Sequence, residues 1–331
     1  MPSTTRAALA LVAILTMPAA AACGAGSSDV FVLKVASSAP LEEPGSQALS
    51  LFADRINAAA GGRIDARLYA AAALGNDRDA TEGLKLGTIE MQMSSNSTLA
   101  TFVPEMYLFE LPFLFDDNEH MFEVLDSEIG ESLRPALERE GFHLMGYFTF
   151  GLRHIMTTER PIETIEDLRG LKLRTMESPP HLDAFAAFGA SPLPMAYSEL
   201  YTSLETGVVD GAEAANSNYW SKRFYEVAPH WAQVGWLRLV APVLMSKAFY
   251  DRLPPDLQEL VDGTLIDLVP YERDLYTEVD AERLQQLIDA GVSVTYPDRD
   301  QFIETSTAVY DAWADRVGGR DRIDAIQALR R

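Results

Sequence analysis

The chain has 331 residues, 47% hydrophobic and 23% charged, enough for one large or two medium domains with their own cores. A formal net charge of −22 argues against a broad basic surface, and so against nucleic-acid binders, which must meet phosphates. The single cysteine, Cys23, excludes an internal disulfide and a cysteine metal site.

Residues 1–22 carry one charge, Arg6, then an apolar run from Ala7 to Met17 and small residues, the pattern of a secretory signal peptide. Pro18 and the short run argue against a membrane span. Ala20-Ala21-Ala22-Cys23-Gly24 reads as a lipoprotein cleavage site with Cys23 as the lipidated residue, or as plain signal cleavage beside an incidental cysteine. Residues 23–29 read as a flexible tether.

The mature chain opens with a strand, Val30–Ser37. Apolar residues Ala48, Leu51, Phe52 and Ile56 then recur at helical spacing up to Gly61-Gly62. Ile64, Ala66 and Leu68 alternate as a strand. Asn76 or Asp77 caps a helix running to Gly87, and IEMQMSS follows as a strand. This rhythm predicts an α/β fold. A helix is expected around 118–139, then strands at FHLMGYFTFG and RHIMTT. Next come the helix TIEDLRG, the strand LKLRTM, the helix PPHLDAFAAFG, the strand PLPMA, the helix YSELYTSLETG and the strand VVDGAEA. After Pro254-Pro255 comes a helical pattern of some 35 residues that Pro270 should kink and Gly291 ends. Such a helix spans roughly 50 Å, long enough for a strut between two lobes. A late strand, GVSVTYP, and a helical C-terminus complete the reading.

GxGxxG, GxxxxGK[ST], HExxH and GxSxG are all absent, and the five histidines show no metal-like spacing. Among 49 acids, chance carboxylate pairs are certain, so none marks a catalytic centre. Arg174 in LRGLKLRTMESPP stands apart. It ends a short strand before Pro179-Pro180, at the sheet edge where open α/β folds bind ligands. Ser95 and Asn96 end the IEMQM strand in the same way.

The ordered set GLKLRTMESPPHLDAFAAFGASPLPMAYSELYTSLETGVVDGAE, with GGRIDARLYAAAALGNDRDATEGLKLGTIEM, FVPEMYLFELPFLFDD, GLRHIMTTERPI, FYEVAPHW and LPPDLQELV, resembles solute-binding proteins of tripartite ATP-independent periplasmic (TRAP) transporters, the C4-dicarboxylate-binding family. The resemblance spans nearly the whole mature chain in collinear order. It implies a periplasmic-binding-protein-like fold: two α/β lobes around a hinge cleft, with a long helix across both. Lobe I is expected at 30–150 plus about 240–279, lobe II at 151–239 plus about 280–331. It implies an exported receptor, not an enzyme, that carries a small organic acid to a TRAP-type permease, needs no cofactor and acts as a monomer. The alternatives are an exported hydrolase or lyase using Asp/Glu chemistry and a ligand-sensing adaptor.

The resemblance assigns Arg174 to the solute carboxylate, which a planar, permanently charged guanidinium suits. The alternative is an ion pair with Glu177 or Glu213, and Glu213 is itself a candidate ligand-site residue. Arg153 falls at a second ligand-facing position, or in another ion pair. Asp77 and Glu82 offer acceptors for ligand hydroxyls, or serve capping and solvation. Tyr197 opens a helix where it can stack on a ligand, bond to it, or join the core. Where many members carry Asn after Val-Asp-Gly-x-Glu, this chain has Ala214, so the pocket is expected to be more apolar there. Asn216 keeps the ligand-facing side if the strand stays regular, and Trp220 follows close by.

Overall fold

The computed structural model describes residues 30–330; the segments expected to be a signal peptide and a tether, with Cys23, lie outside the described residues. Nine strands make one mixed sheet: β1 (Phe31–Ser37), β2 (Ile64–Tyr69), β3 (Met91–Met93), β4 (Phe142–Thr157), β5 (Lys172–Thr175), β6 (Ser191–Pro194), β7 (Gly211–Ala214), β8 (His230–Ser246) and β9 (Ser293–Thr295). The order is β2-β1-β3-β8-β4-β7-β5-β6, with β9 beside β8. The α/β class read from the sequence is borne out.

The antiparallel pair β4–β8 is the spine. At one end β3 pairs with Val243–Met245 and leads to β1 and β2. At the other end β7 pairs with His154–Thr157 and leads to β5 and β6, while β9 pairs with His230–Ala232. Between these ends the register shifts at Thr149/Leu152 and Arg153/Ile155. Such bulges bend a ribbon and re-aim its side chains.

Of the helices, α1 (Pro44–Ala59) buries Ala48, Leu49, Phe52 and Ile56, one stripe of the expected period. α2 (Asp77–Leu86) starts at a capping box: Asn76 Oδ1 accepts from the N–H groups of Arg78 and Asp79, and Asp79 accepts from Asn76 N–H. α3 (Pro179–Ala187) begins with the two prolines, which suit a first turn. α4 (Asn216–Ser221) follows β7 directly. α5 (Pro255–Asp289) is the predicted strut, continuous through Pro270 over 35 residues. It packs on α1 and β4 in one half of the molecule and on α4 in the other. The C-terminal helices pack across both: Tyr310 Oη donates to Pro112 O, and Trp313 Nε1 donates to Asp183 Oδ2.

Three expectations need correction. The helix expected at 118–139 is three short ones, because Ser127 turns extended, with its hydroxyl accepting from Ile129 N–H, and Pro135 starts a new first turn. FHLMGYFTFG and RHIMTT are one 16-residue strand that passes Gly151 through a bulge. β8 was not anticipated: both its faces are largely buried, so it lacks alternation, and it contains Gly235 and Pro242, which ordinarily signal breaks.

Candidate functional site

A cavity of about 280 Å³, near the lower end for small-molecule sites, opens where the end of β5, the bulged middle of β4, the start of α2 and residues 195–198 converge. Arg174 reaches it from the second-last position of β5, paired across to Leu193 and Ala212. Its Nε donates to Met195 O at 3.0 Å and its Nη1 to Glu213 Oε1 at 3.0 Å. Nη2 has no hydrogen-bond partner among the described residues.

Arg153 comes from the β4 bulge. Its Nε donates to Glu213 Oε2 at 2.7 Å, its Nη2 to Glu213 O at 3.2 Å, and its Nη1 to Asn218 Oδ1 at 2.6 Å. Glu213, on β7, is fully buried and serves both guanidiniums. Two buried cations therefore share one carboxylate, so the Arg174–Glu213–Arg153 trio carries one surplus positive charge. Burial works against the charge on each arginine. Glu213 outweighs burial at Arg153 and lifts its pKa, whereas Arg174 stays below its ordinary value, with Arg153 adding to the fall.

Facing them is Asp77, the first residue of α2. Burial lifts its pKa to about 6, against hydrogen bonds from Ser38 and Gln92 and the attraction of Arg174. Tyr197 lines a third side. Its hydroxyl is buried without a hydrogen-bond partner among the described residues, and its ring carries the Lys222 ammonium at 5.2 Å. Ser95 also reaches the wall, with Met176 and Phe150 as apolar neighbours.

Five expected residues lie elsewhere: Glu213, buried between the arginines and outside the lining, and the four that follow. Asn96 is buried, donating to Glu110 Oε1 and Met106 O. Glu82 sits on the solvent face of α2, paired with Arg78 at 3.5 Å. Asn216 donates to Asp280 and accepts from Trp231 and Gln233. Trp220 stacks on Tyr225 and lines a second cavity with Glu42 and Arg223. The physical reason for the last two is common: after Ala214 the chain turns helical, so the every-second-residue rule stops applying. Ala214 itself is fully buried and is not among the residues that line the cavity. Asn218, one position into that helical turn beyond Ser217, brings an amide to the wall, and Lys222 brings a cation. Sequence reading missed both. Helical rather than strand spacing after β7 is the signal that finds them.

Among the described residues no group of His, Cys, Asp or Glu is arranged to hold a metal ion, and no helix is long and apolar enough to cross a membrane. Residues 35–316 match the family model of bacterial extracellular solute-binding protein, family 7. The chain is 34% identical over 281 residues to the 2,3-diketo-L-gulonate-binding periplasmic protein YiaO of Escherichia coli K12, covering 84% of this chain and 86% of that one. It resembles a TRAP periplasmic solute-binding protein from Polaromonas sp. JS666 bound to D-erythronate, with TM-score 0.88, 30% identity, and coverage of 91% and 99%. A TRAP solute-binding protein from Sulfurospirillum deleyianum with bound succinate gives TM-score 0.87 at 30% identity, covering 91% of this chain and 100% of that one. A sheet of this order, a strut helix and a buried arginine pair at a sheet-edge cavity thus coincide with a match over most of the chain: the protein belongs to the bacterial extracellular solute-binding proteins of family 7, the periplasmic TRAP solute receptors, whose work is binding rather than catalysis.

Proposed function

We propose that the cavity takes a small organic acid, with its carboxylate on Arg174, for delivery to a TRAP-type permease. The observation that carries this is the shared Glu213: two buried guanidiniums with one counter-charge favour an incoming anion. A carboxylate on Arg174 gains a charge-assisted bond from Nη2 of a guanidinium that is only 2% exposed. Arg153 acts from behind, holding Glu213. Tyr197 and Ser95 supply hydroxyls to the ligand, and Asp77 accepts from ligand hydroxyls. The similar proteins named above are associated with D-erythronate, succinate and 2,3-diketo-L-gulonate, all short acids.

Residues 30–150 with about 240–279 form one lobe and 151–239 the core of the other, hinged at the β4–β8 bulges. The C-terminal helices bridge the two rather than belonging to the second, since Tyr310 and Trp313 bond to Pro112 and Asp183 respectively. A ligand touching both lobes favours the closed arrangement because it gains contacts there that the open one lacks. The receptor works as a monomer, does not bind nucleic acid, and is tethered through a lipidated Cys23.

The test is a thermal-shift panel of aldonates, uronates, keto acids, dicarboxylates and neutral sugars on the mature protein and on Arg174→Ala. A ligand at a hundred times its Kd stabilises by about 2.7 kcal/mol, which raises the melting temperature by several degrees. One acid should shift the wild type and not the variant. A full response from Arg174→Ala, or a response to neutral sugars alone, overturns the assignment.

A further inference from the structure

The arginine pair does not end at Glu213. Arg153 Nη1 donates to Asn218 Oδ1 at 2.6 Å, and Asn218 Nδ2 donates to Glu43 Oε2 at 3.2 Å. Ser221 Oγ donates to the other Glu43 oxygen. A single line of contacts therefore runs Arg174, Glu213, Arg153, Asn218, Glu43, and none of the five residues is more than 5% exposed. Its ends belong to different parts of the fold. Glu43 precedes α1, which packs on β1 and β2, whereas Asn218 lies on α4, next to β7.

The chemistry of the middle link is specific. A primary amide offers an acceptor to a cation on one side and a donor to a carboxylate on the other. Asn218 uses both, joining Arg153 to Glu43. Aspartate there would face Glu43 with a like charge in a buried site.

We infer that Asn218 and Glu43 are positioning residues that couple occupation of the anion site to the closing of the two halves of the molecule. This rests on the ligand role of Arg174. An acid on Arg174 neutralises the excess charge at one end of the line and holds Glu213 and Arg153 in place. The Arg153–Asn218–Glu43 clasp across the halves is then favoured. Linkage is reciprocal: whatever factor the ligand contributes to the clasp, the clasp returns to the ligand.

The experiment is calorimetric titration with the acid giving the largest thermal shift, joined to small-angle scattering with and without it. Asn218→Ala and Glu43→Ala should each weaken binding by about tenfold, within the usual range of such couplings. Both should lose the ligand-induced compaction. The double variant should be no worse than either alone, because both break one line. Asn218→Asp should bind more weakly still, and Asn218→Asp with Glu43→Gln, which restores the total charge and reverses the bond's polarity, should recover most of the loss. A residue that merely fills space would show no such rescue. Wild-type Kd and compaction in both alanine variants, with Arg174→Ala inactive, overturn the coupling alone. If Arg174→Ala also binds normally, the ligand assignment beneath it falls.

Discussion

Glu213→Gln tests the electrostatics at their centre. In the wild type, Glu213 has zero exposure and lies 2.7 Å from Arg153 Nε and 3.0 Å from Arg174 Nη1. Glutamine keeps the shape and one acceptor oxygen but turns an N–H donor toward the other guanidinium. Two buried cations then lose their counter-charge. Removing one partner of a buried pair costs about 3–5 kcal/mol, and at about 2 °C per kcal/mol the melting temperature should fall by roughly 6–10 °C. Because the charge of the Arg174–Glu213–Arg153 trio rises from one to two, a saturating acid ligand should stabilise the variant by more degrees than it stabilises the wild type. Differential scanning calorimetry with and without the ligand reads both effects. An unchanged melting temperature would refute the claim that Glu213 balances the arginines. A drop with no enlarged ligand response would refute the claim that their surplus charge faces the cavity.

Asp77 gives a pH prediction. Its folded pKa of about 6 lies above its ordinary 3.8, so the folded state binds the extra proton between these values. The stability it contributes is present below about 3.8 and is lost as pH rises through about 6. Asp77→Asn should therefore flatten stability against pH in that window in denaturant melts, while weakening binding of hydroxylated acids. Tyr197→Phe removes a hydroxyl that is buried without a hydrogen-bond partner among the described residues, so the free protein should lose little or no stability. Its affinity for the acid should nevertheless fall by about tenfold, the scale of one hydrogen bond. At Gly151, φ is +76° and an added Cβ would lie 2.4 Å from the Tyr276 ring of α5. Gly151→Ala should destabilise by ~1–3 kcal/mol or more in urea titration, since both the backbone and the overpacked ring resist it.

The sequence was most legible where local rules coincide with the tertiary answer. The α1 stripe, the Asn76 cap and the 35-residue strut follow from periodicity and capping alone, and the structure keeps them within a few residues. Arg174 was legible because a strand-end position and a following Pro-Pro stop are both local signals. β8 was not, because a strand packed on both faces has no alternation and its pairing with β4 is entirely non-local. Asn218, Lys222 and Glu43 were invisible for a related reason. They sit 65, 69 and 110 residues from Arg153, and only the bulged spine and the turn into α4 bring them to it. Asn216 and Trp220 show the converse: carrying strand spacing past Ala214 placed them on a wall that the helix turns away from.

The bulk charge and the site charge have opposite signs, and the distance between charges decides which governs binding. A formal charge of −22 repels an anion at long range, but salt limits that field to about 8 Å at physiological ionic strength. At the cavity the charges of Asp77 and Lys222 offset each other in sign, and the surplus lies with Arg174, Arg153 and Glu213, all nearly or wholly out of water. Their interaction is screened far less than that of the surface acids, because solvent and ions do not enter between them. The surplus of one positive charge therefore persists at contact distance while the surface repulsion fades beyond it. A uniformly basic receptor would attract many anions to its whole surface. This one confines its attraction to a place where two desolvated guanidiniums and one carboxylate fix the geometry, so selectivity comes from the fit to that place and not from the charge of the protein as a whole.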